Sequence, residues 1–331
     1  MTSDDKTPAD PLSGLARSVS MAVHNSSVIY NYAGKVREET LMLSGRQACW
    51  TMPRNRAIAD LSEIEFKVFS QWGEDGIIEW LVSHLDLPHR RFVEFGAANF
   101  EEANCRFLTL NRNWRGLVMD GSPENMDVVK ASQLYAKHDI TALPIFITAE
   151  NINLILTDTG FSGPLGILSI DVDGNDYWIW KTCTAVNPAI VICEYNAVLG
   201  DTQPISIPYD AEFKFKQNQH GHYHGCSIAA LRHLAEQRGY EFVGTNSNGV
   251  NAFFVRKDLA APILSLLKTR RAFPSKVRDP RAYHGAPAHV GGVARLNLIR
   301  HLPVVNVVTG ERLAIGDIAT PYSDAWLAEM H

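Results

Sequence analysis

Ile167-Leu168-Ser169-Ile170-Asp171-Val172-Asp173-Gly174-Asn175-Asp176 is a short apolar run that breaks into three acids, a glycine and an amide. A run so apolar and so short reads as a strand buried within a parallel sheet. Acids at the carboxyl end of such a strand stand where open α/β sheets place their ligands. Three carboxylates this close repel one another unless a cation, a proton or a polar ligand compensates them. The segment therefore predicts a fold class and the edge of the sheet that carries the chemistry.

Strand and helix patterns alternate on either side of it. Residues 76–87 (GIIEWLVSHLDL) have apolar positions at helical spacing and stop before Pro88. Residues 91–96 (RFVEFG) form a strand ending in glycine, 101–113 fit a helix, and 116–120 (GLVMD) are the next strand. Ser122-Pro123-Glu124 then opens a helix, with serine at the cap, proline at the first helical position and an acid in the first turn. A third strand is expected at 142–147, a helix at 150–158, the fourth strand at 166–170 and the fifth at 189–194 (AIVICE). After a long loop at 197–225, residues 227–238 make an amphipathic helix. Residues 240–245 and 251–256 then face each other across Asn246-Ser247-Asn248-Gly249, a strong turn signal. Such alternation predicts a doubly wound, mostly parallel sheet, closed at one edge by an antiparallel hairpin.

The chain has 331 residues, of which 46% are hydrophobic and 20% charged, the balance of an ordinary globular protein. Its net charge of −5 gives no electrostatic case for nucleic acid as the main partner. No apolar run approaches a membrane span, and the start does not resemble a signal peptide. Cys49, Cys105, Cys183, Cys193 and Cys226 are scattered without CxxC spacing, so reduced thiols and a cytoplasmic location are expected. Residues 1–12 read as a disordered tail, 13–65 as an N-terminal helical extension, 66–260 as the main domain and 261–331 as a C-terminal extension of unassigned fold.

Two further strand ends carry candidate ligand groups. Residues 92–99 (FVEFGAAN) turn from strand to helix through small residues, which lets backbone approach a ligand, with Glu94 at the strand end. The lack of GxGxxG argues against a pyrophosphate cradle. Asp120 ends the second strand, where a Rossmann-like sheet places an acid that accepts from ribose hydroxyls.

Five motifs in order then carry a family resemblance: 70–76 (SQWGEDG), 92–99 (FVEFGAAN), 114–121 (WRGLVMDG), 169–178 (SIDVDGNDYW) and 245–255 (TNSNGVNAFFV). Over about residues 66–258 the chain resembles the FkbM-like branch of class I S-adenosylmethionine-dependent methyltransferases. The resemblance implies an α/β, Rossmann-like class I methyltransferase fold, a mostly parallel seven-stranded sheet with a C-terminal antiparallel hairpin. It implies S-adenosylmethionine as cofactor, with Glu94, Gly96 and Ala97 on its methionine side, Asp120 on the ribose and Ser122 close by. Ala149 and Glu150 would approach the adenine, and Gln71 and Glu74 would belong to a segment folding over the cofactor. Ala97-Ala98 departs from the second glycine that many methyltransferases have there.

Against that frame Asp171 joins the cofactor side, and Asp171, Asp173, Glu194 and Asn196 form an oxygen set suited to Mg²⁺ or another divalent cation. A cation there would lower the pKa of an acceptor hydroxyl. The plainer alternative gives Asp171 to cofactor or substrate, Asp173 to the turn and Asn175-Asp176 to a helix cap. His220-Gly221-His222-Tyr223-His224 offers His222 and His224, with Asp173, as catalytic candidates for proton removal. Lys268, Arg270, Arg271, Lys276, Arg278 and Arg281 could meet an anionic or nucleotide-linked acceptor. Of Trp178 and Trp180, one is expected in the core and one at the acceptor pocket. The expectation is an O-methyltransferase acting on a small-molecule or glycan acceptor, in glycan or natural-product biosynthesis, and a homo-oligomer is compatible with it. The alternatives are a metal-dependent hydrolase or isomerase using the acidic and histidine clusters, and a non-catalytic binding protein of methyltransferase fold.

Overall fold

The structure is a computed structural model that describes residues 11–215, 221–276 and 290–330. Its elements run α1 (Pro11–Thr51), α2 (Glu74–His84), β1 (Arg91–Phe95), α3 (Arg106–Arg112), β2 (Arg115–Asp120), α4 (Pro123–Ala131), α5 (Gln133–Lys137) and β3 (Ile140–Pro144). There follow α6 (Ile152–Asp158), β4 (Gly163–Ile170), α7 (Asp176–Thr182), β5 (Val186–Glu194), β6 (Ile205–Ser206), α8 (Ile228–Gln237), β7 (Tyr240–Thr245) and β8 (Asn251–Arg256). The chain finishes with α9 (Ala261–Leu266), α10 (Ala294–Ile299), β9 (Pro303–Asn306), β10 (Arg312–Ala314) and α11 (Asp324–Leu327).

Seven strands form one sheet in the order β3-β2-β1-β4-β5-β8-β7. Neighbours are parallel except at β8, which pairs antiparallel with both β5 and β7. This is a Rossmann-like methyltransferase sheet with its reversed strand next to the edge. Strand order reverses between β1 and β4, so the crevice of a doubly wound fold opens over those two carboxyl ends.

Alternate side chains along each strand feed opposite faces. Phe92, Ile167, Ile190 and Phe253 join α2, α4 and α9 on one face. Val93, Leu168, Val191 and Phe254 join α6, α7 and α8 on the other. The central strands, buried on both faces, had to be near-continuously apolar, and that makes the 167–170 run readable. Trp180 is wholly buried, its ring 4.9 Å from that of Phe254. Cys193 is likewise a core residue.

The C-terminal part has a definite fold. β9 pairs with β6 on one side and β10 on the other in a second, antiparallel sheet, and Leu296, Ile299, Val304, Tyr322 and Trp326 complete the core beneath α7 and α8. Thus residues 290–330 extend the main core. Two local expectations need correcting. β3 lies two residues earlier than expected, because Ile140 pairs with Gly116 and the ladder closes at Pro144, opposite Asp120. The helix expected over 101–113 is α3 alone, because Ala98 and Phe100 take positive φ (44° and 60°) and hold 96–105 in an irregular loop. The weak N-terminal pattern is one 41-residue helix, α1. Most of the expected tail, residues 1–10, lies outside the described residues. No helix among those described is long and apolar enough to cross a membrane.

Candidate functional site

The β1 and β4 ends meet backbone to backbone at the switch point. Gly96 has φ +66°, and a Cβ there would collide with the carbonyl oxygen of Asp171. Only glycine satisfies both demands. Glu94 points inward: Oε1 accepts from Asn104 N–H (2.7 Å) and Oε2 from Cys105 N–H (3.1 Å), at the entry to α3. Burial pushes its carboxyl up to about 7, against these bonds. Ala97 is buried beside it, its N–H donating to Met119 O.

Asp120 ties the neighbouring loops together. Its Oδ2 accepts from Ala98 N–H (3.0 Å), while Oδ1 accepts from Ser122 N–H (2.8 Å) and Asn125 Nδ2 (2.9 Å). Ser122 caps α4, as its sequence position predicts, with Oγ accepting from Asn125 N–H. After β3, Ala149 N–H donates to the hydroxyl of Tyr209 (3.0 Å), which donates to Glu150 (2.6 Å). That bond holds the exposed Glu150 carboxyl below its ordinary value.

The acids after β4 and β5 converge. Asp171, Asp176 and Glu194 each place one carboxylate oxygen within 4.8 Å of the others. Burial, then repulsion from neighbouring carboxylates (Asp173 and Asp176 on Asp171; Asp171 and Asp176 on Glu194), drives both groups well above the usual carboxyl range. Asp176 reaches about 6, moderated by N–H donors from Val172 (2.8 Å) and Gly174 (3.0 Å). Among the described residues, Oε2 of Glu194 is sealed from solvent and has no hydrogen-bond partner.

Asp173 is exposed at φ +56° on the turn, outside the three-acid group, and its charge repels that of Asp171. Asn196 is engaged locally. Its Nδ2 donates to the carbonyls of His222 (2.8 Å) and His224 (3.0 Å), and its Oδ1 accepts from Val198 N–H (3.0 Å). It thereby pins the histidine segment beside the acids, where Gly225 N–H also donates to Gly174 O (3.1 Å). His222 is buried, and His224 meets Phe215 edge-on at 5.2 Å. His220 lies outside the described residues.

Glu74 is fully buried, and four donors hold its carboxylate: Trp72 N–H, Gly73 N–H, Asn246 Nδ2 and Asn251 Nδ2, at 2.8–3.0 Å. It joins the start of α2 to the β7–β8 turn. Gln71 is exposed, its carbonyl accepting from Lys67 Nζ (2.9 Å). In the basic run, Arg270 pairs with Glu241 and Arg271 with Glu329, while Arg278 and Arg281 lie outside the described residues.

Sequence reasoning did not single out Asp75 or Tyr209, and it left Asp176, one of the three clustered acids, out of the cation set. Asp75 accepts three successive backbone N–H groups (Val68, Phe69, Ser70) at 2.7–2.8 Å, and burial raises it to about 6. The adjacent acids in SQWGEDG were its signal. Tyr209 had none, since it lies in a patternless loop. Trp178 is half-buried and donates Nε1–H to Ile207 O (2.9 Å), holding that loop down.

No family model matches the sequence, and no curated protein matches it. Among solved structures it is similar to an S-adenosylmethionine-dependent methyltransferase from Clostridium acetobutylicum ATCC 824, at 12% identity over 55% of this chain and 90% of that one (TM-score 0.35). It is similar to the N-terminal domain of EvdMO1 with SAH bound, at 14% identity over 64% and 93% (TM-score 0.37). It is also similar to an O-methyltransferase family protein from Burkholderia thailandensis, at 12% identity over 55% and 58% (TM-score 0.33).

Proposed function

We propose that the chain is an S-adenosylmethionine-dependent methyltransferase that methylates an oxygen of a polyhydroxylated acceptor, such as a sugar. One observation carries the reading: Asp120 after β2, Ala149–Glu150 after β3, and the Asp171–Asp176–Glu194 cluster after β4 and β5 share one edge of a sheet with methyltransferase strand order. The donor set fits the cofactor. A carboxylate suits a ribose diol, and an N–H beside a carboxylate suits a purine edge. When bound, S-adenosylmethionine supplies an electrophilic methyl group on a sulfonium.

The chain's residues then have to align the acceptor oxygen and take its proton. Gly96 and Ala97 shape the backbone on the methionine side. Asp171 or Glu194, when ionised, would receive the acceptor proton, and His222 and His224, whose carbonyls Asn196 ties next to the β5 end, are the alternative bases. Asp173, on the solvent side of the turn, is placed to meet acceptor hydroxyls.

A divalent cation such as Mg²⁺ fits the same cluster, as a modification of the expected set: Asp171, Asp176 and Glu194 would hold it. Their hard oxygens and the unpartnered Glu194 Oε2 support this. When bound, the ion would supply charge that lowers an acceptor hydroxyl's pKa.

Calorimetry tests the cofactor assignment. S-adenosylhomocysteine (SAH) should bind the wild-type protein at micromolar Kd, and Asp120→Ala should weaken it at least 10-fold; no binding to the wild type would refute the reading. For the cation, chelated protein titrated with Mg²⁺ should bind it, and Glu194→Gln should abolish binding while SAH still binds.

A further inference from the structure

The loop before the histidine segment crosses the strand ends and is fastened at several points. Trp178 Nε1–H donates to Ile207 O (2.9 Å), and Asn175 Nδ2 donates to Asp210 O (2.8 Å). Phe213 lies so close over Gly174 that a Cβ at that glycine would collide with its ring. Between these ties, Tyr209 reaches across to the loop after β3. Its hydroxyl accepts from Ala149 N–H (3.0 Å) and donates to Glu150 Oε2 (2.6 Å).

That pair of bonds has a definite chemistry. A backbone N–H and a carboxylate side by side ask for one acceptor and one donor on the same edge. The Watson–Crick edge of adenine offers that, with N1 accepting and the N6 amino group donating, and enzymes read a base by such an edge. A phenol hydroxyl offers both functions from one atom. We propose that Tyr209 is an internal stand-in for the adenine edge, holding the Ala149–Glu150 subsite in the cofactor-free protein and leaving it when the cofactor enters. The inference rests on the methyltransferase reading and adds a device within that site.

The exchange is nearly balanced, since two hydrogen bonds are given up and two are made, so the phenol lowers cofactor affinity modestly without blocking entry. Because residues 207–213 also lie over the Asp171–Asp176 turn, release of Tyr209 couples cofactor arrival to the cover above the acid cluster. Cover and cofactor then report on each other through one side chain.

The test uses the full chain and SAH as probe. Tyr209→Phe keeps the ring and removes the hydroxyl with both its bonds, and it should bind SAH about 3- to 10-fold tighter, the low end of what two net hydrogen bonds are worth. Adenosine should gain by the same factor. In cofactor-free protein, hydrogen exchange at the Ala149 amide should speed up in Tyr209→Phe and slow again on adding SAH. The proposal is overturned if the wild type binds SAH and Tyr209→Phe binds it equally or more weakly, or if Ala149 exchange is unchanged by the substitution. Failure of SAH to bind either protein would instead overturn the methyltransferase reading, and this inference with it.

Discussion

Gly96 carries two constraints that no other residue type meets: φ of +66°, and a neighbouring carbonyl, that of Asp171, in the space a Cβ would fill. Gly96→Ala must therefore push β1 and β4 apart at the switch point. We expect a loss of about 3 kcal/mol or more in denaturant unfolding. Glu94, two residues earlier, makes stability depend on pH. Its folded value of about 7 lies above the unfolded value near 4.5, so the folded state holds the extra proton between them. The resulting penalty is absent below about pH 4.5, grows as pH rises and is complete above pH 7, at roughly 3 kcal/mol. Glu94→Gln should thus gain about that much on the wild type between pH 5 and pH 8 in chemical denaturation, whereas parallel curves would refute the assignment. The site was partly legible at this scale. Acids at strand ends announce themselves by following apolar runs, as Asp120, Asp171 and Glu194 do. Which acid of DVDGND turns inward was hidden, because it depends on the positive φ at Asp173. Tyr209 was hidden because loop conformation, not local pattern, brings it to Glu150.

At the scale of elements, buried polar ties fix where helices and turns sit. Glu74 receives four donors from two parts of the chain far apart in sequence. Removing the carboxylate leaves the two asparagine amides of the β7–β8 turn buried without acceptors, each costing about 1–3 kcal/mol. Glu74→Ala should therefore destabilise the protein by 3 kcal/mol or more, and hydrogen exchange should show the loss centred on residues 246–251. Most strands were legible because the sheet is buried on both faces and each strand ends in a turn residue. β3 was misplaced because Ala142 to Ile147 looks equally apolar on either side of Pro144, and only pairing with β2 sets the register. Helix α3 was overextended because nothing local shows that Glu94 holds the preceding loop open.

On the scale of the whole molecule, the C-terminal residues complete the core. Leu296, Ile299, Val304, Ile315, Tyr322 and Trp326 are all buried in the cluster that contains α7 and α8. At about 1.5–3 kcal/mol for each such side chain, their loss exceeds the stability of most domains. Truncation after residue 289 should leave a protein that binds ANS and has lost its near-UV circular dichroism; native spectra in the truncated chain would refute this. These short apolar runs gave no fold from sequence, since their strands are too brief for periodicity and β9 pairs with β6 across about a hundred residues.

The placement of β8 between β5 and β7 has a consequence for synthesis. β5 ends at Glu194 and its partner begins at Asn251, so positions 195–250, 56 residues, must be made before that edge is covered. At roughly 5–20 residues per second, the ribosome leaves the apolar edge of β5 unpaired for about 3–11 s. An uncovered strand of that kind is a template for pairing with other chains. Because the exit tunnel hides the last few tens of residues made, a translational pause at about residue 240, with β5 out and β8 not yet made, should lower soluble yield, and one at about residue 300, with β8 out, should lower it less. The reversed strand that defines the sheet thus also sets the most vulnerable interval in the chain's birth.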